Sequence, residues 1–211
     1  MNVRTLALNN KISDLKNIKS LLIATNNSGK LKEIKKLLPV KINFYSPKDF
    51  SLKEPLENGK TFEDNAVIKA KYCSIKSKLV SLSDDSGLEI DILNKKPGIY
   101  SARWAGKSKD FNFAIKKVLS EIKKRNKKKK IVARFICSLA IAWPNGNYKV
   151  FRGTVSGTIS LKPKGNKGFG YDSIFIADGY KKTFGEISAS LKDKISHRFK
   201  AFNKIKSYFK Y

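Results

Sequence analysis

Residues 20–30 read Ser-Leu-Leu-Ile-Ala-Thr-Asn-Asn-Ser-Gly-Lys, and this stretch decides the fold class. The apolar run at 21–24 is typical of a buried strand, and the polar residues 26–29 predict a turn. In residues 30–38 the apolar side chains recur at helical spacing: Leu31, Ile34, Leu37 and Leu38. Pro39 then ends the predicted helix, and a second short strand follows at 41–45. Strand, helix and strand in this order form a β-α-β unit, so we expect an α/β fold.

The rest of the chain predicts further helices and strands around this unit. Thr61 and Asp64 have the spacing of a capping box, which predicts a long helix that begins there. Two strand-like pieces, 80–83 and 88–92, flank a predicted turn at 84–87. The other predicted elements are a helix at 110–124, antiparallel strands at 131–143 and 148–160, a short strand at 174–176 and a helix at 197–209. We therefore predict one domain over residues 19–211, preceded by a polar extension, residues 1–18, that we expect to be poorly ordered.

The composition limits which classes of chemistry are open to this chain. Of 211 residues, 41% are apolar, which is enough for one sizeable core. The apolar runs are far shorter than the ~20 residues that cross a bilayer, so we expect no membrane association. Two cysteines, Cys73 and Cys137, and a single histidine, His197, argue against a disulfide framework, a zinc cluster and a multi-histidine site. We expect a cytoplasmic protein whose chemistry rests on carboxylates or on a metal.

The net charge of +28 raises the question of a polyanionic partner. The densest basic run, residues 123–130, falls between a predicted helix and a predicted strand, where solvated loops are common. Lysine greatly outnumbers arginine, although arginine is the better ligand for phosphate. We therefore expect a lysine-rich surface loop and no specific nucleic-acid partner. A basic nucleic-acid-binding protein remains the alternative from another functional class.

The turn after the first predicted strand is a candidate anion site. The unpaired N–H groups at the start of a helix attract phosphates, and Gly29 and Lys30 add close backbone approach and a point charge. The candidate phosphate-binding residues are Thr25, Asn26, Asn27, Ser28, Gly29 and Lys30.

Carboxylates form a second candidate site. Asp84 and Asp85 are adjacent, so their like charges repel each other unless a cation or lysines compensate. Because no histidine accompanies them, their hard oxygen atoms favour Mg²⁺ or Mn²⁺ over zinc. Glu57, Glu63 and Asp64 complete the acidic set.

Two further motifs carry groups suited to recognising a nucleobase. Glycines flank Phe169 and leave its ring free to stack on a base, and Asp172 can accept hydrogen bonds from ring N–H groups. His197 and Arg198, at the start of the last predicted helix, can donate to carbonyl or phosphate oxygens.

Taken together and in this order, the motifs resemble those of the inosine triphosphate pyrophosphatase family, the dITP/XTP pyrophosphatases that remove nonstandard purine nucleotides. The match runs from about Leu21 to the C-terminus. The motifs are Thr25-x-Asn27-x-x-Lys30, Phe62-x-x-Asn65-Ala66-x-x-Lys69-Ala70, Asp84-Asp85-Ser86-Gly87-Leu88, Pro97-Gly98-x-x-Ser101-Ala102-Arg103, Gly168-Phe169-Gly170-Tyr171-Asp172 and Ser196-His197-Arg198.

This resemblance implies a long twisted mixed sheet with flanking helices, and two lobes around a nucleotide cleft. It implies a magnesium-dependent homodimer that hydrolyses nonstandard purine nucleoside triphosphates to monophosphate and pyrophosphate. Asp85 would be the general base, and Glu57, Asp84 and Asp85 would bind magnesium. The residues implied to bind substrate are Thr25, Asn26, Asn27, Ser28, Gly29, Lys30, Lys69, Ser86, Phe169, Gly170, Tyr171, Asp172, Lys192, His197 and Arg198. Another family of house-cleaning nucleotide pyrophosphatases is the nearest rival among enzymes.

Overall fold

One mixed β-sheet runs through the part of the chain that the computed structural model describes, which is residues 15, 17–38, 41–125 and 130–209. In this part the strand order is β2-β1-β3-β4-β5-β6. The strands are β1 (Ser20–Ala24), β2 (Asn43–Tyr45), β3 (Ser81–Ile90), β4 (Val132–Ala142), β5 (Tyr148–Ile159) and β6 (Phe175–Ala177). The helices are α1 (Ser28–Leu37), α2 (Phe62–Ser77), α3 (Phe111–Arg125), α4 (Ala189–Ile195) and α5 (His197–Ile205). The expected α/β class with flanking helices is confirmed.

The sheet is parallel on one side and antiparallel on the other. Strand β1 pairs in parallel with both β2 and β3, which confirms the predicted β-α-β unit. Strands β3, β4, β5 and β6 pair antiparallel in turn. The long β4–β5 hairpin agrees with the predicted antiparallel pair.

Helices cover both faces of the sheet, and the alternation of side chains along β4 assigns each helix its face. Small residues, Ala140 and Ala142, pack against alanines of α2 on one face. Leu139 and Ile141 pack against α5 and α1 on the other face. Because successive side chains of a strand point to opposite faces, α2 and α5 lie on opposite sides of the sheet.

The prediction of a turn at residues 84–87 is wrong. Strand β3 continues through these residues and pairs with β4 at every position from Ser81 to Ile90. Aspartate and glycine favour turns when only their neighbours in sequence are considered. Here, pairing with β4 and the cationic partners of Asp84 and Asp85 override that local preference.

Smaller differences concern the ends of the chain. Helix α4 was not predicted, and the final helix ends at Ile205, where a 3₁₀ turn, Lys206–Tyr208, replaces the predicted continuation. In the expected N-terminal extension, Leu15 is buried in a core cluster that also contains residues of α1 and α5. Residues 1–14 and 16 lie outside the described residues, as do 126–129 of the lysine run. The expected poor order of the extension and the expected lysine-rich surface loop therefore stay predictions.

No described helix is long and apolar enough to cross a membrane.

The sheet opens beside β3. Strand β1 ends at Ala24, which pairs with Ser83, while β3 runs on to Ile90. The chain leaves β1 through Thr25 into α1. The N-terminus of α1 is thereby brought beside Asp84 and Asp85, and the candidate site lies there.

Candidate active site

A cavity of about 730 Å³ brings most of the sequence-predicted site residues together. Those that line it are Thr25, Asn27, Lys30, Glu57, Lys69, Asp84, Asp85, Ser86, Phe169, Gly170, Tyr171, Asp172, Lys192, His197 and Arg198. Asn26, Ser28 and Gly29 instead line a neighbouring cavity of about 510 Å³, which shares Asn27, Phe169 and Lys192 with the first. The predicted phosphate loop is thus divided between two adjoining cavities.

The loop before α1 is held by its own polar side chains. Asn27 is the N-cap of α1, since its Oδ1 accepts from the Lys30 N–H at 3.0 Å. The Asn27 N–H in turn donates to Thr25 Oγ1 at 3.1 Å. A Cβ at Gly29 would lie 2.9 Å from the ring of Phe169, so a side chain at this position would displace that ring from the helix terminus. These contacts direct the Lys30 side chain into the cavity.

Asp84 is buried and surrounded by hydrogen-bond donors. Its Oδ1 lies 2.6 Å from Lys30 Nζ and accepts from Ser86 Oγ at 2.6 Å. Its Oδ2 accepts from Arg198 Nε at 2.7 Å and from Cys137 Sγ at 3.1 Å. Burial opposes ionisation, but attraction to Arg198 and Lys30 outweighs it and holds the pKa of Asp84 well below its usual range. Asp84 therefore carries a permanent negative charge that fixes two cations.

Asp85 shares the ammonium of Lys69 with Glu57. Lys69 Nζ lies 2.6 Å from Glu57 Oε1 and 3.1 Å from Asp85 Oδ1. The second oxygen of Asp85, Oδ2, faces Asn65 Nδ2 at 3.5 Å. Burial raises the pKa of Asp85, partly offset by Lys69 and Lys30. A carboxylate made more basic in this way is suited to taking a proton from water.

At the other end of the cavity, Phe169 and Asp172 form a compact turn. The Asp172 carboxylate accepts from the Phe169 N–H at 2.9 Å and from Lys192 Nζ at 2.5 Å. The Lys192 ammonium also lies 4.6 Å from the centre of the Phe169 ring. Tyr171 is buried and donates to the carbonyl of Ser101 at 2.9 Å, which joins this turn to the loop that follows β3. The aromatic ring is therefore held in one orientation.

Sequence reasoning missed Glu33. It accepts from Lys192 Nζ at 3.0 Å through one oxygen and from Arg198 Nη1 through the other, so it joins two predicted substrate-binding cations. The available signal was local: Glu33 is the one carboxylate in α1, a helix otherwise rich in lysine.

His197 is buried, and its ring stacks on Phe135 with centroids 4.7 Å apart. Burial, reinforced by the nearby charges of Arg198 and Lys192, lowers the pKa of His197 well below its usual value. The imidazole is therefore neutral at pH 7 and carries one N–H. Its Nδ1 is buried with no hydrogen-bond partner among the described residues. Because an unpartnered buried N–H costs free energy, this arrangement favours the tautomer with the proton on Nε2.

The donor set of the site consists of oxygen atoms. Among the described residues, no three His, Cys, Asp or Glu side chains are grouped so as to hold a metal ion. Glu57 and Asp85 line the cavity and converge on Lys69. Asp84 has each oxygen engaged by two donors. Mg²⁺ commonly takes one or two carboxylates from a protein when a phosphate supplies further ligands, so two fit.

The chemistry of the cavity differs between its two ends. Lys30 and Lys69 place cationic groups beside a buried basic carboxylate at one end, and the other end offers an aromatic face with N–H donors. This combination suits a ligand with a phosphate chain at one end and a flat heterocycle at the other.

Known proteins resemble this chain over most of its length. The model of the Ham1 family matches residues 21–208. A dITP/XTP pyrophosphatase of Zymomonas mobilis is 44% identical over 186 residues, which cover 88% of this chain and 89% of that protein. The solved structure of a HAM1 protein from Coxiella burnetii has a TM-score of 0.83 and 35% identity, covering 90% of this chain and 98% of that one. The Ham1 protein of Staphylococcus aureus has a TM-score of 0.80 and 37% identity, with coverages of 90% and 97%. The sheet, the site and these likenesses agree that the chain belongs to the Ham1 family.

Proposed function

We propose that this protein hydrolyses nonstandard purine nucleoside triphosphates, namely ITP, dITP and XTP, to the monophosphate and pyrophosphate. The observation that carries the proposal is that one cavity joins Lys30, Lys69 and Asp85 to the ring of Phe169 and the donors of α5. The relative from Zymomonas mobilis is named a dITP/XTP pyrophosphatase. Such an enzyme cleanses the nucleotide pool.

The phosphate chain would bind at the N-terminus of α1. Thr25, Asn27 and Lys30 line the cavity there, and the amide nitrogens and positive end of the helix attract anions. The Asn27 Oδ1 atom is occupied by capping, so its amide nitrogen remains available to a phosphate oxygen. Lys69 supports the chain from the α2 side of the sheet.

Asp85 is the general base in this proposal. It would take the proton from a water molecule as the water oxygen adds to phosphorus and the bond between the α and β phosphates breaks. Its burial makes it a stronger base, and the charge of Lys69 favours its ionised form. Pyrophosphate leaves, and Lys30 and Lys69 stabilise the developing negative charge.

The residues fit a magnesium ion held by Glu57 and Asp85. The remaining oxygen ligands would come from substrate phosphates and water, as is usual for Mg²⁺. When bound, the ion supplies charge neutralisation of the phosphate oxygens. We assign Asp84, the third ligand expected from the sequence, to fixing Lys30 and Arg198, because each of its oxygen atoms already has two donors.

Purine selection would depend on Phe169, His197 and Arg198. Among the described residues, Asp84, Glu33 and Ser86 engage three of the five N–H groups of Arg198, which leaves two to donate. A neutral His197 with its proton on Nε2 adds one donor. A purine with a 6-keto group accepts these hydrogen bonds. The 6-amino group of adenine is itself a donor, so it would leave the N–H groups of His197 and Arg198 unpaired, at a cost of about 1–3 kcal/mol in binding free energy. Lys192 and Asp172 hold Phe169 for stacking.

We also propose that the enzyme is a cytoplasmic homodimer. Both cysteines, Cys73 and Cys137, are buried free thiols, as is common in a reducing compartment. The dimer follows from the family resemblance, and light scattering on the purified protein would test it.

The deciding experiment measures pyrophosphate release from ITP, XTP, dITP, ATP and GTP with magnesium. We expect kcat/KM for ITP, XTP and dITP to exceed that for ATP by about 10-fold to 100-fold, the equivalent of ~1.4–2.8 kcal/mol. Equal turnover of ATP and ITP, or release of single phosphates, would contradict the proposal.

A further inference from the structure

Residues 52–60, here called the strap, border the cavity and carry Glu57. The strap lies between a 3₁₀ turn, Pro47–Phe50, and α2, and it belongs to no helix or strand. Among the described residues, the strap backbone is hydrogen-bonded at Leu52, Glu57, Gly59 and Lys60. Side chains from other elements must therefore determine the position of Glu57.

Asn65 is the first such side chain. It is fully buried in α2, and its Oδ1 accepts from the Gly59 N–H at 2.9 Å. Because a backbone N–H only donates, the amide oxygen must face the strap, and Nδ2 is turned to Asp85 Oδ2 at 3.5 Å. A Cβ at Gly59 would lie 2.8 Å from Asn65 Oδ1 and 2.5 Å from Asp64 Cβ, so the approach requires glycine. One amide thus contacts both the strap and Asp85.

Arg103 is the second. Its Nη2 donates to the carbonyl oxygen of Glu57 at 2.5 Å, and its guanidinium lies 5.0 Å from the ring centre of Tyr100. The loop that carries Arg103 is fastened to β3, because Ser101 Oγ accepts from the Leu88 N–H at 2.9 Å. Arg103 therefore positions the backbone of Glu57 relative to the strand that carries Asp85.

We propose that Asn65 and Arg103 are positioning residues, which hold the strap so that Glu57 and Asp85 meet at Lys69. The inference rests on the proposed function, in which these two carboxylates act together. Lys69 Nζ lies within 3.1 Å of both carboxylates. The ammonium can contact both only if the backbone of the strap and the backbone of β3 keep their relative positions. Asn65 fixes the side of Asp85 that Lys69 leaves free, and Arg103 fixes the strap at Glu57 itself.

A protease that cuts after glutamate tests the anchoring without metal or substrate. The Glu57–Asn58 bond lies in the strap, and its carbonyl is the one that Arg103 binds. Glu54 precedes a proline, and the other glutamates lie in helices, in β3 or in the turn at Glu186. Cleavage at Glu57–Asn58 therefore reports the release of the strap, and kcat and KM for ITP report its consequence for the reaction.

Three variants separate the two contacts. Asn65→Asp keeps an oxygen for Gly59 but sets a second carboxylate against Asp85. We expect cleavage at the wild-type rate and kcat lowered at least about tenfold, since small misplacement of a reacting group costs that much. Asn65→Ala and Arg103→Met should lower kcat as well, with KM changed far less than kcat. Unlike Asn65→Asp, these two variants release the strap, so we expect each to raise the cleavage rate at least about tenfold.

Arg134→Met is the matched control, because Arg134 pairs with Asp91 and Glu89 on β3 and the turn after it, outside the cavity lining. We expect its cleavage rate and kcat to equal those of the wild type. A wild-type cleavage rate in Asn65→Ala, or a wild-type kcat in Asn65→Asp, would overturn the role of Asn65. For Arg103→Met, a wild-type cleavage rate or a wild-type kcat would overturn the role of Arg103. If the wild type hydrolyses no nucleotide, the proposed function fails, while the cleavage rates still decide whether the strap is anchored.

Discussion

Asp84 and Asp85 are neighbours in the sequence, yet their side chains lie on opposite faces of β3. Asp84 reaches Arg198 of α5, with 2.7 Å between Oδ2 and Nε. Asp85 reaches Lys69 of α2, with 3.1 Å between Oδ1 and Nζ. The alternation of a strand thus resolves the like-charge repulsion that two adjacent aspartates would have in a turn. It also gives each carboxylate a separate task.

The two asparagine variants at these positions should therefore fail in different ways. We expect Asp85→Asn to lower kcat at least about 100-fold, because an amide cannot take a proton from water. Its stability should change little, since Lys69 keeps Glu57 as a partner. Asp84→Asn should instead lower the free energy of unfolding by about 3–5 kcal/mol, because it removes the charge that compensates the buried Arg198 and the partly buried Lys30. Urea unfolding and steady-state kinetics measure both quantities, and identical behaviour of the two variants would contradict this division of roles.

Glu33→Gln tests the carboxylate that joins Lys192 to Arg198. Without its charge, the two cations repel each other and lose their common orientation. We expect KM for ITP to rise about tenfold, equivalent to ~1.4 kcal/mol, with a smaller change in kcat. Lys35→Gln, an exposed change on the same helix, is the control and should leave KM unchanged. A wild-type KM in Glu33→Gln would show that Lys192 and Arg198 are ordered without it.

The fold could be predicted where local sequence and tertiary structure agree. The capping box at Thr61 begins α2 as expected, and the apolar runs at 21–24 and 131–143 are strands. Residues 84–87 could not be recognised as part of a strand, because the contacts that stabilise them there are distant in sequence. These contacts are the pairing with β4 and the cations of α2 and α5. Helix α4 is only seven residues long and has little apolar periodicity to reveal it.

The candidate site shows the same limit. The motifs named the groups that line the cavity, because each motif is a short run of chemically distinctive residues. They did not show which groups pair with which. Glu33 joins two cations that follow it by about 160 positions, and no local pattern in the sequence encodes such a contact.

The contribution of Lys30 to substrate binding should depend little on salt, whereas that of the lysine run should be screened by salt. Kinetic measurements at several salt concentrations should therefore distinguish the two. Lys30 Nζ lies 2.6 Å from Asp84 Oδ1 and its side chain is only 16% exposed, so screening acts weakly on it. We expect Lys30→Ala to raise KM for ITP at every salt concentration. Changing Lys127, Lys128, Lys129 and Lys130 to serine should leave kcat unchanged and at most slow association at low salt. A tenfold loss from the run with little loss from Lys30→Ala would favour the nucleic-acid-binding alternative.

We expect His197 to make the stability of the protein depend on pH. Burial and the charges of Arg198 and Lys192 lower its pKa in the folded state, whereas in the unfolded chain it titrates near ~6.5. Below that pH the unfolded chain binds a proton that the folded protein does not, so the free energy of unfolding falls as the pH falls. The slope from this residue reaches ~1.4 kcal/mol per pH unit. His197→Asn lacks this contribution, while the carboxylates titrate in both proteins. Urea unfolding of both proteins between pH 8 and 5 measures it: the wild type should lose stability relative to the variant as the pH drops below ~6.5. Parallel curves would mean that His197 takes up a proton in the folded protein as easily as in the unfolded chain.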